Sequence, residues 1–338
     1  MKAFKAILVG AGNISAAWLN AVTARKDIVI VAVADPNREN AQRRISEFHL
    51  NAAWYPDLEG ALQAIRADVV LDCSIPACHA PDSLLALRHG CHILTEKPMA
   101  TTCGEARRII QAAEANHRIH AVIQNRRYFK EINAFRTSVQ KDIGELTTLN
   151  ADFYIGAHFG GFRDAMKHVL LLDMAIHSFD EARYISGAEP VSVYCVEWNP
   201  AGSWYAHDAS AMAIFKMSNG IVFCYRGSWC SEGMHTSWEC DWRAIGTQGT
   251  VVWRNDTEIK GQKVVATGDF TSKFRTFAPR PKELKFCGHA GVINDFLTAI
   301  KKGTQPPTCC TDNINSLAMV EGAIRSAELE REVFISEL

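Results

Sequence analysis

Gly10-Ala11-Gly12-Asn13-Ile14-Ser15 follows the apolar run Phe4–Val9 and opens the amphipathic stretch Ile14–Arg25. A glycine turn between a strand and the first turn of a helix is where a dinucleotide-binding loop has to sit. Gly10 permits the tight turn, and Gly12 lets backbone approach a pyrophosphate whose charge is met by amides at the helix N-terminus. Gly10, Gly12, Asn13 and Ile14 are therefore candidate cofactor contacts. Ser15 stands where a third glycine is usual, which weakens helix packing slightly but can add a hydroxyl donor to the phosphate. The next apolar run, Ile28–Ala34, ends in Asp35, 20 residues beyond Ser15. A carboxylate there accepts hydrogen bonds from ribose hydroxyls and repels a 2′-phosphate, which favours NAD over NADP. Arg38, three residues on, is the group able to accommodate that phosphate instead.

Outward from this loop, short apolar runs alternate with amphipathic stretches as far as residue 125, the pattern of βαβ units feeding a buried parallel sheet. Strands are expected at Phe4–Val9, Ile28–Ala34, Val69–Cys73, His92–Thr95 and Ile119–Ile123. Helices are expected at Ile14–Arg25, Arg38–Phe48, Leu58–Ile65, Pro81–Arg88 and Cys103–Ala115. From about residue 146 to 286 the chain turns to long stretches rich in Val, Phe, Tyr and Trp, broken by one helical segment, Val169–Ile185. Val292–Lys301 and Asn313–Arg331 are helical again. A length of 338 residues exceeds what one core usually serves. The expected division is a Rossmann domain at 1–125 and an α+β substrate and oligomerisation domain at 126–338, with the last helix packing back on the first.

Basic and acidic residues nearly cancel, 36 against 37, so no field gathers nucleic acid or an anionic membrane. Small-molecule partners follow. No apolar run is long enough to span a bilayer. Eleven cysteines without CxxC spacing suggest no structural zinc and a reducing cytoplasm.

Glu96-Lys97-Pro98 lies just past the strand His92–Thr95, at the carboxyl edge where ligands bind. Lys97 there could hydrogen-bond a substrate hydroxyl and the cofactor, with Pro98 fixing its direction through a cis peptide; the other reading is a solvated loop charge. On the segment Val169–Ile185, Asp173, His177 and Asp180 share one stripe at spacings of four and three. A carboxylate one turn from an imidazole orients its tautomer and makes it a general base, which singles out Asp173 and His177; an exposed helix pair is the structural alternative. No third ligand stands at telling spacing, so a metal is not expected.

Together these motifs resemble the Gfo/Idh/MocA oxidoreductase family over essentially the whole chain. The glycine fingerprint is Gly10 to Ser15, the EKP signature Glu96-Lys97-Pro98, and the DxxxH pattern Asp173 and His177. Asn125-Arg126-Arg127-Tyr128 is similar to an NRRF-like segment beside the nicotinamide, and Ile143-Gly144-Glu145 to the turn entering the second domain. The resemblance implies a Rossmann domain and a second domain with a large, mostly antiparallel open sheet that commonly mediates homodimers or homotetramers. It implies Lys97, Asp173 and His177 as catalytic residues, and adds Ser74, His79, Glu96, Lys97 and Asn125 to the cofactor contacts. Two departures stand out. The TPxxxH-like segment reads Ser74-Ile75-Pro76-Ala77-Cys78-His79, with proline shifted by one, and a usual glycine-rich approach to the catalytic helix is replaced by Lys167–Leu172.

The expected activity is hydride transfer between NAD and a secondary hydroxyl of a sugar, polyol or sugar derivative, with Lys97, Asp173 and His177 also touching substrate. Arg163 and His168 are further substrate candidates because they immediately precede the catalytic segment; His158 and the stretch Trp229 to His235 are sugar contacts or core. The alternative is a redox-assisted glycosidase that recycles tightly bound NAD through oxidation, elimination and re-reduction. A non-catalytic NAD sensor is the third reading, and the joint presence of Lys97, Asp173 and His177 speaks against it.

Overall fold

Short runs rich in Val, Ile, Leu and Ala, mostly buried except in the edge strand β3, pair side by side as six strands: β1 Phe4–Val9, β2 Ile28–Ala34, β3 Ala53–Tyr55, β4 Val69–Asp72, β5 His92–Thr95 and β6 His120–Val122. In the computed structural model, which describes residues 3–268 and 270–338, they form an all-parallel sheet in the order β3-β2-β1-β4-β5-β6. The order reverses between β1 and β4, and the crevice beyond the carboxyl ends of strands at such a switch point is where open α/β sheets bind ligands.

Helices α1 Ser15–Thr23, α2 Arg38–Glu47, α3 Leu58–Ala64, α4 Pro76–Arg88 and α5 Cys103–Ala115 make the crossovers. Three begin on a side-chain cap: Asn37 accepts from the amides of Glu39 and Asn40, Asp57 from Gly60, and Thr102 from Glu105. Two features depart from the sequence expectation. Strand β3 has only three residues, too few for alternation to register. Helix α4 starts at Pro76, not Pro81. Pro76 fills the first turn, where a missing N–H costs nothing, and Pro81 is carried inside the helix.

Residues up to Asn125 cluster as one compact unit with Lys285–Leu317, which includes α8 Gly288–Lys302. Within this unit Arg25 and Lys301 both bind the Asp27 carboxylate, and the Val122 amide donates to Thr308.

The second unit, Arg126–Leu284 with Ala318–Leu338, holds a nine-stranded sheet. In chain order its strands are β7 Leu146–Tyr154, β8 Pro190–Trp198, β9 Ser210–Met217, β10 Val222–Ser228, β11 Asp241–Gly246, β12 Gly249–Arg254, β13 Glu258–Ala266, β14 Lys273–Phe277 and β15 Val333–Phe334. They lie in the order β14-β13-β12-β11-β7-β10-β9-β8-β15, antiparallel throughout except for β7 beside β10. Strand β9 shows the logic of its two faces: Ala211, Ala213, Phe215 and Met217 are buried, while Met212, Ile214 and Lys216 alternate with them in solvent. Helices α6 Lys130–Lys141 and α7 Ile176–Ser186 belong to this unit, and Phe179 of α7 meets the rings of Phe215 and Tyr225 at 4.9 and 5.3 Å. The other face leaves Tyr194, Val196, Met212 and Ile214 exposed.

The helix expected over Val169–Ile185 is not uniform. Leu170–Ala175 forms a wider, π-helical turn before α7 begins at Ile176. That turn buries Leu170, Leu171, Met174 and Ala175 and leaves Leu172 and Asp173 partly exposed. Such wide turns recur at functional sites. The final helix, α9 Cys310–Leu329, divides its residues between the two units.

Candidate active site

The glycine loop has the shape its residues demand. Gly10 takes φ +78°, and a Cβ there would lie 2.6 Å from the Cys73 carbonyl oxygen, so no other residue fits. A Cβ on Gly12 would meet nothing within 4 Å, which leaves the loop open on that side. Asp35 is buried at the end of β2. Its Oδ2 accepts from the Ala11 amide at 2.7 Å and its Oδ1 from the Asn37 amide at 2.7 Å, so the carboxylate braces the loop and keeps a lone pair on each oxygen for ribose hydroxyls. The Arg38 guanidinium stands 5.1 Å over the Trp54 ring, and Trp54 Nε1 donates to the Asp35 carbonyl at 3.0 Å. These features fit a dinucleotide: open backbone amides, a gap beside Gly12, and a carboxylate with spare acceptors.

Ser15 does not do what its sequence position suggests. It is fully buried, its hydroxyl donates to the Gly12 carbonyl at 2.6 Å, and it accepts from Arg44 Nε at 3.0 Å. The hydroxyl is committed inside the protein and does not reach a phosphate.

At the carboxyl end of β5, Glu96 is buried and fixed by two donors, Trp18 Nε1 at 2.8 Å and the Lys97 amide at 3.1 Å. Burial pushes its carboxyl up, but His289, the Lys97 charge and the Trp18 donor outweigh this and hold it below the ordinary glutamate range. Glu96 thus serves the backbone on which Lys97 sits. Lys97 is partly exposed and precedes a cis peptide to Pro98. The ring of His79 is buried, with Nδ1 2.6 Å from the Pro98 carbonyl oxygen and Nε2 3.1 Å from that of Ser74. His79 thereby ties these two turns together. The Ser74 amide donates to Asp72 at 2.9 Å, and Asn125 is partly exposed just past β6.

In the second unit, Asp173 lies in the wide turn and His177 one turn later in α7; both are partly exposed on a segment whose Met174, Ala175, Ile176 and Ser178 are buried. Arg163 grips Asp173 with two hydrogen bonds, 2.7 and 3.3 Å, and its guanidinium lies 4.9 and 4.8 Å over the rings of Phe159 and Phe162. Phe159, Phe162 and Trp238 are half-exposed, and Phe159 and Trp238 pack on the buried ring of Trp229 at 5.1 and 5.7 Å. Trp229 is therefore core. His158 pairs with Glu232 at 2.8 Å and stacks on Trp204 at 3.6 Å.

His168 takes a left-handed backbone, φ 51°, and its Nδ1 meets Glu197 at 2.6 Å, a hydrogen bond that raises the imidazole above its ordinary pKa against burial. Asp180, third on the expected stripe, is buried and held by Arg127 at 2.7 and 2.6 Å. Arg126 lies between Glu181 and Glu239, at 3.6 and 3.5 Å. Nothing in the sequence pairs Asp180 with Arg127, sets Arg126 between Glu181 and Glu239 or points to Arg44, because these contacts join residues that only the fold brings together. Among the described residues, no group of three or more His, Cys, Asp or Glu is placed to hold a metal ion, and no helix is long and apolar enough to cross a membrane.

Comparison with known proteins agrees with these features. Residues 4–124 match the family described as "Oxidoreductase family, NAD-binding Rossmann fold", GFO_IDH_MocA, and residues 135–252 match its C-terminal domain. Inositol 2-dehydrogenase of Rhizobium meliloti is 26% identical over 348 residues, 97% of this chain and 98% of that enzyme. D-glucoside 3-dehydrogenase of Escherichia coli is 30% identical over 187 residues, 53% of each chain. An oxidoreductase from Agrobacterium radiobacter, solved with NAD+, L-tartaric acid and magnesium, superposes with a TM-score of 0.88 at 19% identity, covering 99% of both chains.

Proposed function

The chain belongs to the Gfo/Idh/MocA oxidoreductase family and is an NAD-binding enzyme of it, and on that premise we propose that it oxidises or forms a secondary hydroxyl on a sugar, polyol or sugar derivative. The observation that carries this reading is the Asp173–His177 turn. It presents a carboxylate and an imidazole on a mostly buried segment, with Arg163 on the carboxylate and the half-exposed rings of Phe159 and Phe162 against that guanidinium. Guanidinium and ring faces suit hydroxyl groups and the C–H faces of a carbohydrate. The inositol and glucoside dehydrogenases among the relatives support the same substrate class.

When bound, NAD supplies a hydride acceptor at carbon 4 of the nicotinamide. The amides of Asn13 and Ile14 would hold its pyrophosphate, and Asp35 would take the adenosine ribose hydroxyls. In the oxidation direction His177 takes the hydroxyl proton while Asp173 keeps the imidazole in the receptive tautomer. Lys97 donates to the substrate oxygen as negative charge develops there. Arg163 and His168 contact substrate hydroxyls. The exposed apolar residues of β8 and β9 form a surface for a second copy, making the enzyme a homodimer or homotetramer, and the scattered, mostly buried cysteines suit a reducing cytoplasm.

The test is a panel of polyols, aldoses, uronic acids and glycosides given to the purified protein with NAD, following NADH and free aglycone together. NADH formed in proportion to product supports the dehydrogenase. Aglycone released without net NADH reassigns the chain to the recycling glycosidases, and no reaction with any member overturns the substrate class.

A further inference from the structure

Arg44, on the crossover helix α2, is nine-tenths buried and spends its guanidinium on the back of the glycine loop. Its Nε donates to Ser15 Oγ at 3.0 Å, its Nη2 to the carbonyls of Gly12 at 2.9 Å and Asn13 at 3.4 Å, and its Nη1 to Glu47 at 2.6 Å. Ser15 adds its own hydroxyl to the Gly12 carbonyl at 2.6 Å. A trans peptide unit is planar, with C=O and N–H pointing in opposite directions. Drawing the Gly12 and Asn13 carbonyls inward therefore turns the Asn13 and Ile14 N–H groups outward, and neither has an acceptor among the described backbone hydrogen bonds. These are the donors an anion at the start of α1 needs.

We propose that Arg44, working through Ser15, is a positioning residue for the cofactor pyrophosphate. It replaces, with a buried charge-assisted clamp, the close helix packing that a third glycine gives elsewhere. The guanidinium orients the loop and makes no contact with the ligand itself. Its effect falls on the part of the cofactor that meets the loop, the pyrophosphate, and not on the adenosine held by Asp35.

ADP and adenosine separate the two parts. Their affinities are measured by displacement of NADH fluorescence for wild type, Arg44→Met and Ser15→Ala. Wild type binds ADP more tightly than adenosine. Both variants lose about tenfold of that preference, while adenosine affinity changes less than about twofold. Ser15→Ala removes one hydroxyl from a buried site and keeps the guanidinium, so it carries the test if Arg44→Met does not fold. An unchanged ADP-to-adenosine ratio in a folded variant overturns the proposal, as does a wild type that binds ADP no better than adenosine. Neither readout depends on which sugar the enzyme oxidises.

Discussion

Around Gly10–Ser15, the polar groups that face inward are tied down: the Ala11 amide to Asp35, the Gly12 carbonyl to Ser15 and Arg44, the Ser15 hydroxyl to both. The stretch from His158 to Asp173 in the second unit is built otherwise. Gly160 and Gly161 take positive φ in open space, Phe159 and Phe162 stand half-exposed, and one guanidinium, Arg163, links the loop to Asp173. The difference fits the ligands proposed for the two regions. A pyrophosphate is the same ligand in every dinucleotide enzyme, so its cradle is held by redundant buried hydrogen bonds. The loop proposed to meet the substrate is held by scattered side-chain pairs, Arg163 to Asp173, His158 to Glu232 and His168 to Glu197, and leaves its glycines and aromatic rings open.

The sharpest way to break the comparison is at its chemical end. His177→Ala is expected to lower kcat by about a thousandfold with NAD affinity unchanged, measured by steady-state NADH formation and NADH titration. A loss of NAD affinity instead would move His177 out of the catalytic role. Next in size is Gly10→Ala. The added methyl collides with the Cys73 carbonyl at a φ that side chains avoid, and the cost is about 2–4 kcal/mol of stability in urea unfolding. Gly160→Ala, in open space, meets only the φ penalty, about 1 kcal/mol, and the gap between the two variants measures how much tighter the first region is.

Arg163→Met sharpens the contrast at moderate size. KM for the sugar rises about tenfold while KM for NAD stays put, the reverse of the Arg44→Met pattern. Equal changes in both constants would mean that the loop is not a substrate loop.

The smallest effect is acidic. Arg25, assisted by Lys301 and opposed by burial, holds Asp27 down at about 2 from the ordinary 3.8. A carboxyl lowered on folding stabilises the protein fully above its unfolded value and loses that contribution as pH falls through the folded one. Between about pH 5 and about pH 2, wild type should lose on the order of 1 kcal/mol more than Asp27→Asn, after allowance for solvent screening. Parallel losses in the two proteins would remove the assignment.

The parallel sheet was readable because Phe4–Val9, Ile28–Ala34 and Val69–Cys73 are apolar runs with helices between them, and the loop because Gly10 and Asp35 keep fixed offsets from those strands. Strand β3 escaped because three residues carry no period. The wide turn at Leu170–Ala175 escaped because hydrophobic spacing does not distinguish it from an α-turn. Contacts distant in sequence were illegible for a plain reason. Arg44 to Ser15 and Arg163 to Asp173 span 29 and 10 residues, and nothing in either residue announces its partner. Ser15 shows the cost: its hydroxyl, by position a phosphate donor, is by structure a bolt between Gly12 and Arg44.

Lys97 is the residue on which the proposed chemistry turns. Turnover of the best substrate from the panel and NAD affinity are measured side by side for wild type and Lys97→Ala. NADH formation is expected to collapse by about a thousandfold or more while NAD still binds within about threefold of wild type. Turnover that survives the loss of the ammonium would contradict that chemistry.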